Sequence, residues 1–240
     1  MFINQLKVKT SMKLTNFGHA CWHIELENTS LLIDPFISPN ELAKKIDIDS
    51  IECDYILITH GHEDHIADVE SIAKRTGAKL VSNFEIINWF AAKGIDNGHP
   101  MNIGGKWKFD FGTLTYFTAQ HSSVMPDGAS GGNPGSFIIE TPEGTFYHAG
   151  DTGLMIDMQL IPMQHKLNFA LLPIGDNFTM GIEEALIASE FIKCDTIIAM
   201  HYDTFGYIVV DKENAISRFK EKGKKLIFVD IGNTIDSNAL

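Results

Sequence analysis

The sequence predicts an α/β chain folded as a four-layer αββα sandwich. Two observations predict it. Each half of the chain opens with short apolar strands and then passes to alternating strands and amphipathic helices. One strand, DYILITH (54–60), is a continuous apolar run, as expected where other layers cover both faces.

In order, KLTNFG (13–18), CWHIEL (21–26) and SLLIDP (30–35) read as strands parted by polar turns. DYILITH follows. HIADVESIAKRTG (65–77) is a helix, with Ile66, Val69, Ile72 and Ala73 at helical spacing and Gly77 as its stop. AKLVSN (78–83) is a strand and FEIINWFAAKG (84–94) a helix that again closes on glycine. From about residue 100 strands return: KWKFDFG (106–112), TLTYFTAQH (113–121), GSFIIET (135–141) and TFYHAGD (145–151). Then come the strand NFALLPIGD (168–176), the helix GIEEALIASEFIK (181–193) and the strand DTIIAMH (195–201). The helix DKENAISRFKEKG (211–223) and the strand KKLIFVDIG (224–232) complete the pattern. No linker, close repeat or low-complexity run divides the chain, so residues 1–240 read as a single domain. Residues 1–11 read as a polar N-terminal extension before Met12.

Composition narrows the function classes. At 44% apolar and 21% charged residues the chain is ordinary globular protein with ample core. A net charge of -12 argues against an extended nucleic-acid footprint. No apolar run reaches the length of a membrane span. Cys21, Cys53 and Cys194 are scattered and form no CxxC pair, which argues against a disulfide framework or zinc ribbon and fits the cytoplasm.

The stretch THGHEDH (59–65) places three histidines and two acids in seven positions. His60 closes a buried strand. His60 and His62, two apart in extended chain, project to one side, and Asp64 and His65 fall where the next helix begins. Two imidazoles can therefore meet at one point, with a carboxylate and an imidazole at a neighbouring one. Such ligands suit zinc, manganese or iron. His121, Asp151 and His201 stand at the ends of three further strands, the place where α/β sheets gather ligands. Asp34, at the end of SLLIDP, can hold a ligand imidazole through its second nitrogen. Asp176 and Asn177 either line a pocket or serve a turn. The glycine-rich loop HSSVMPDGASGGNP (121–134) reads as a substrate loop or lid, or as a plain connection. His23, His99, His148 and His165 read as structural, and Cys21 lacks the orienting partner a nucleophile needs.

HGHEDH, followed by His121, HAGDT and His201, resembles the metallo-β-lactamase superfamily. GHACWHIE (18–25), LLIDP (31–35), GNPGSFIIE (132–140), PIGDNFTMG (173–181) and MHYDTF (200–205) are similar to its branch of small metal-dependent hydrolases related to ascorbate-6-phosphate lactonase. The resemblance implies the metallo-β-lactamase fold and two divalent ions, zinc or manganese first, nickel or iron as alternatives. It implies that His60, His62 and His121 bind one ion, that Asp64, His65 and His201 bind the other, and that Asp151 bridges them. It makes His19 a wall of the site and a substrate donor. Asp151 stands where β-lactamases proper carry a cysteine, which puts lactams in doubt.

The expected reaction follows. A hydroxide held between the ions is the nucleophile, and Asp64 orients it or takes its proton. Two dications less Asp64, Asp151 and hydroxide leave about one positive charge, which favours a small anionic ester or lactone, such as a sugar-phosphate lactone. The same site also suits a phosphodiesterase. A mononuclear iron oxidoreductase, like the persulfide dioxygenases of this superfamily, is the alternative of another class. The partner expected is a small-molecule substrate rather than nucleic acid or membrane, with a homo-oligomer left open.

Overall fold

The computed structural model describes residues 11–240, so all of the expected extension except Ser11 lies outside the described residues. The first sheet holds β1 (Lys13–Gly18), β2 (Cys21–Glu25), β3 (Ser30–Ile33), β4 (Tyr55–Leu57), β5 (Lys79–Asn83) and β6 (Gly98–Met101) side by side. The second holds β7 (Lys106–Phe109), β8 (Gly112–Thr118), β9 (Gly135–Thr141), β10 (Gly144–His148), β11 (Phe169–Pro173), β12 (Thr196–Met200) and β13 (Lys225–Ile227). A late strand, β14 (Thr234–Asp236), returns to the first sheet and pairs antiparallel with β1.

Each sheet is mixed. In the first, β1 to β3 pair antiparallel and β3 to β6 parallel. In the second, β7 to β10 pair antiparallel and β10 to β13 parallel. Successive side chains on a strand point to opposite faces, and the core divides accordingly. Leu31, Ile33, Leu57 and Val81 join Leu114, Tyr116, Phe137 and Phe146 in one cluster. Leu32, Ile56, Ile58 and Leu80 join the helical residues Ile66, Val69, Ile72, Ile86 and Phe90 in another. That double burial is why these strands carry no polar alternation.

Two sheets flanked by helices are the sandwich the sequence predicts. The helices are α1 (Glu63–Ile66), α2 (Val69–Thr76), α3 (Phe84–Ala91), α4 (Ile161–Gln164), α5 (Ile182–Phe191) and α6 (Lys212–Glu221). Asn83 and Asp211 cap α3 and α6 by accepting the backbone N–H groups of Ile86 and Asn214.

The details depart from expectation in three places. The helix over 65–77 is two helices, broken at Ala67 and Asp68. The Asp68 carboxylate accepts the backbone N–H groups of Ile37 and Ser38 at 2.6 and 2.9 Å and so serves the neighbouring loop. Strands β6 and β14 were not expected; Pro100 is tolerated in β6 because that strand is a sheet edge. The last predicted strand is ordered as strand only over Lys225–Ile227.

Candidate metal centre

The parallel strands deliver the site. Asp34 follows β3, and THGHEDH runs from the turn after β4 into α1, which carries Asp64 and His65. Asp151 follows β10 and His201 follows β12. The backbone turns sharply to aim these groups: His19, Asp34 and His201 all have positive φ, at 56°, 46° and 55°. Left-handed non-glycine residues concentrate where surrounding structure over-determines them, as at functional sites. Gly61 inside the motif answers a packing demand, because a Cβ there would press on Met125, Val124 and Gly131 of the 121–134 loop.

Three overlapping groups of donor atoms converge at this end of the sandwich. They are His60, His62 and His121; His60, His65 and Asp151; and His19, Asp64, His65 and His201. Nε2 of His60 lies 3.0 Å from Nδ1 of His62. Asp151 sits between the two sides, with Oδ2 at 2.9 Å from Nε2 of His201 and 3.5 Å from Nε2 of His121. Its Oδ1 is 3.3 Å from Nε2 of His65. Asp151 and His65 are 3% and 0% exposed at their side chains.

The local network sets which nitrogen is bare. The Thr59 hydroxyl donates to Asp34 Oδ2 at 2.7 Å, so it accepts from Nδ1 of His60 at 3.0 Å. Nδ1 of His65 donates to the same Asp34 oxygen at 2.9 Å. Both histidines are thereby held with Nε2 facing the centre, the orienting task expected of Asp34. Nε2 of His65, Nε2 of His201 and Oδ1 of Asp151 are buried without a hydrogen-bond partner among the described residues. They lie close together yet outside hydrogen-bond geometry. Buried lone pairs aimed at a common point fit a divalent cation.

Electrostatics agree. Burial lowers the basicity of His60, His62 and His121, which keeps them neutral and able to donate a lone pair. Burial alone would raise Asp151, but His201 and His65 outweigh it and hold the carboxyl well below its ordinary range. Burial would lower His65, but Asp151 and Asp34 on either side outweigh that and raise it well above the usual histidine range. Those carboxylates favour a protonated ring when no metal is bound, so an ion arriving at Nε2 competes with a proton there. Metal uptake at pH 7 is expected to release protons, and affinity is expected to fall as pH is lowered. Calorimetric titration in two buffers of different ionisation heat reads the release; identical heats would reject it.

His19 lies beside the centre, with its donor atom grouped with those of Asp64, His65 and His201. It is 5% exposed and is not among the residues that line the cavity over the centre. Its Nε2 meets Asp64 Oδ2 at 3.1 Å, its Nδ1 meets the Thr204 hydroxyl at 2.9 Å, and its ring lies 3.9 Å from that of His201. Burial and the nearby His201 push its pKa down to about 4, while Asp64 opposes them. Asp176 and Asn177 also stay outside the cavity lining. Both are exposed with φ of 61° and 53°, and the Asn177 N–H donates to the Asp176 side chain at 2.7 Å. The turn role therefore applies to this pair, because a left-handed two-residue turn suits Asp and Asn. What their turn presents to the cavity is Phe178.

The cavity above the centre has a volume of about 730 Å³. Ser122 on its wall belongs to the loop read as a substrate loop, whereas sequence reasoning did not single out Phe178, Thr204, Phe205, Gly206 and Tyr207. The one signal was MHYDTFGY (200–207), three aromatics closely downstream of a ligand-type histidine. Among the described residues no lysine or arginine lines the cavity, so the phosphate end of a sugar-phosphate lactone would meet no side-chain cation from them. The 121–134 loop brings His121 and Ser122 to the cavity and is anchored by packing and hydrogen bonds. Met125 is 1% exposed within the core, Ser123 accepts the Gly61 N–H at 3.1 Å, and Asn83 donates to the carbonyls of Gly131 and Asn133.

One glycine guards the His201 strand end. A Cβ on Gly175 would overlap the His201 carbonyl oxygen and crowd Ile208. Gly175→Ala is expected to cost about 1–3 kcal/mol of stability and to lower metal retention by shifting His201. Thermal unfolding and elemental analysis check both; unchanged values would show that the backbone yields without disturbing the ligand.

Comparison with known proteins agrees with this geometry. The family profile described as beta-lactamase superfamily domain matches residues 13–201. A UPF0173 metal-dependent hydrolase of Christiangramia forsetii is 54% identical over 94% of this chain and 100% of its own. One from Flavobacterium johnsoniae is 53% identical over 94% and 100%. The solved structure of Igni18, a metallo hydrolase from Ignicoccus hospitalis, superposes with a TM-score of 0.86 at 37% identity, covering 94% of this chain and 98% of that one. With its mixed sheets, its converging donors and these relatives, the chain belongs to the β-lactamase superfamily, among its metal-dependent hydrolases.

Proposed function

We propose that the chain is a dinuclear hydrolase of small carboxylic esters or lactones. The observation that carries this reading is the convergence of bare donor atoms on both sides of buried Asp151. In this reading His60, His62 and His121 hold one divalent ion, Asp64, His65 and His201 hold a second, and Asp151 serves both. Zinc or manganese suits such nitrogen and carboxylate ligands. Bound there, divalent ions supply a nucleophile at neutral pH and polarise the attacked oxygen.

The chain's own residues do the rest. Asp34 and Thr59 lock the tautomers of His60 and His65. His19 steadies Asp64 at 3.1 Å, and Asp64, partly exposed on the cavity wall, is placed to accept the proton lost by the attacking water. Three buried free cysteines suit a reducing cytoplasm. Among the described residues no helix is long and apolar enough to cross a membrane.

Elemental analysis of purified protein, followed by assay against lactones, carboxylic esters and phosphodiesters, tests the reading. About two zinc or manganese ions per chain with turnover of lactones or esters is the expected result. Turnover of phosphodiesters alone moves the substrate class. One iron per chain with thiol-dependent oxygen uptake and no hydrolysis overturns the proposal.

A further inference from the structure

The ligand residues make the floor of the cavity over the centre polar, and aromatic rings dominate its wall. Above the ligand residues its wall is built from Phe178, Phe205 and Tyr207, with Gly206 leaving room between the last two. These rings are 49%, 36% and 79% exposed, an unusual outlay of aromatic surface for one rim. They are held firmly. Phe178 follows the left-handed Asp176–Asn177 turn. Phe205 and Tyr207 ride a loop closed by Asp203 N–H to Ile208 O at 2.8 Å and Ile208 N–H to Phe205 O at 3.0 Å, with Ile208 fully buried beneath. Phe178 and Tyr207 meet edge to face at 6.2 Å, and Phe205 packs edge-on against His19 at 5.4 Å.

The polar groups of the wall are already engaged or few. The Thr204 hydroxyl is taken by His19 at 2.9 Å, and Ser122 sits 3.3 Å from Nε2 of His62. Lys212, a cation of the adjoining cavity, is paired with Asp203 at 3.1 Å. A sugar would leave its hydroxyls unpaired against such a wall, and each unpaired group weakens binding. A flat apolar ring would instead find offset and edge contacts on preset aromatic faces.

We infer that Phe178, Phe205 and Tyr207 form a specificity wall that selects substrates bearing an aryl or cyclic alkyl substituent, to the exclusion of sugar phosphates. The inference rests on the proposed ester or lactone hydrolysis, since the reacting carbonyl must lie on the floor for its substituent to reach the wall.

Two hydroxamates separate wall from floor, because both ligate metal through the same head group. Calorimetric titration of the metal-loaded protein compares acetohydroxamate with 3-phenylpropanohydroxamate. The phenyl compound is expected to bind at least about ten-fold more tightly, the worth of one good aromatic contact. Tyr207→Ala and Phe178→Ala are expected to bring that ratio toward one, while Tyr207→Phe keeps it. A wild-type ratio near one, or a ratio indifferent to the alanine variants, overturns the wall. Failure of both compounds to bind overturns the wall together with the metal reading. Turnover of γ-butyrolactone and γ-phenyl-γ-butyrolactone is measured in parallel, with the phenyl lactone expected to have the higher kcat/KM. If neither lactone opens while the hydroxamate ratio stands, the hydrolysis reading fails and the wall survives.

Discussion

Asp151→Ala is expected to lower bound metal and hydrolysis together, with turnover falling by about a thousand-fold or more. The carboxylate lies within 3.5 Å of nitrogens from three histidines contributed by different segments, His65, His121 and His201. Removing it deletes the one group that both proposed ions share. It also deletes a negative charge from a site where burial makes each charge count heavily. Losses of 10²–10³ accompany removal of a single electrostatic stabiliser in other active sites, and a shared ligand does more. Asp151→Asn separates shape from charge. The amide fills the same volume and is expected to recover thermal stability but little metal. Elemental analysis, unfolding temperature and turnover on one preparation give the comparison. An alanine variant with two ions and normal turnover would remove Asp151 from the site.

Asp34→Ala is expected to cost about 10–100-fold in metal affinity and about 3–5 kcal/mol in stability. Asp34 is fully buried and accepts three hydrogen bonds, from the Thr59 N–H, the Thr59 hydroxyl and Nδ1 of His65. Alanine leaves two ligand histidines free to choose the wrong tautomer and strands buried donors. Competition with a chelator of known affinity measures the first effect and denaturant unfolding the second. Asp34→Asn retains one accepting oxygen, and an intermediate loss is expected. A stability loss with unchanged metal affinity would reduce Asp34 to a purely structural role.

The contrast between what could and could not be read from sequence has a physical source. His60, His62, Asp64, His65, His121, Asp151 and His201 are residues of ligand chemistry at strand ends, so type and position both announced them. The layers were equally legible, because strands such as LLI and YIL bury both faces and show it as unbroken apolar runs. The break at Ala67 and Asp68 was not, because helical spacing persists through it while the Asp68 side chain serves residues 37 and 38. Asp176 and Asn177 showed polarity without showing direction. The rim aromatics followed no period, and a ring at a pocket mouth looks in sequence like any core ring. His19 was legible as a site residue, but its left-handed turn and its contacts with Asp64 and His201 were not.

The pairing of β14 with β1 bears on how the protein is made. Lys13 aligns with Asp236 and Thr15 with Thr234, and Asn16 donates to the Val229 carbonyl at 2.6 Å. During synthesis β1 therefore waits for a partner made much later in the chain. Throughout elongation the nascent sheet keeps one open edge, the kind of edge that invites pairing with a neighbouring chain. Closure of that edge waits for β14, and it ties early and late segments of the described residues together.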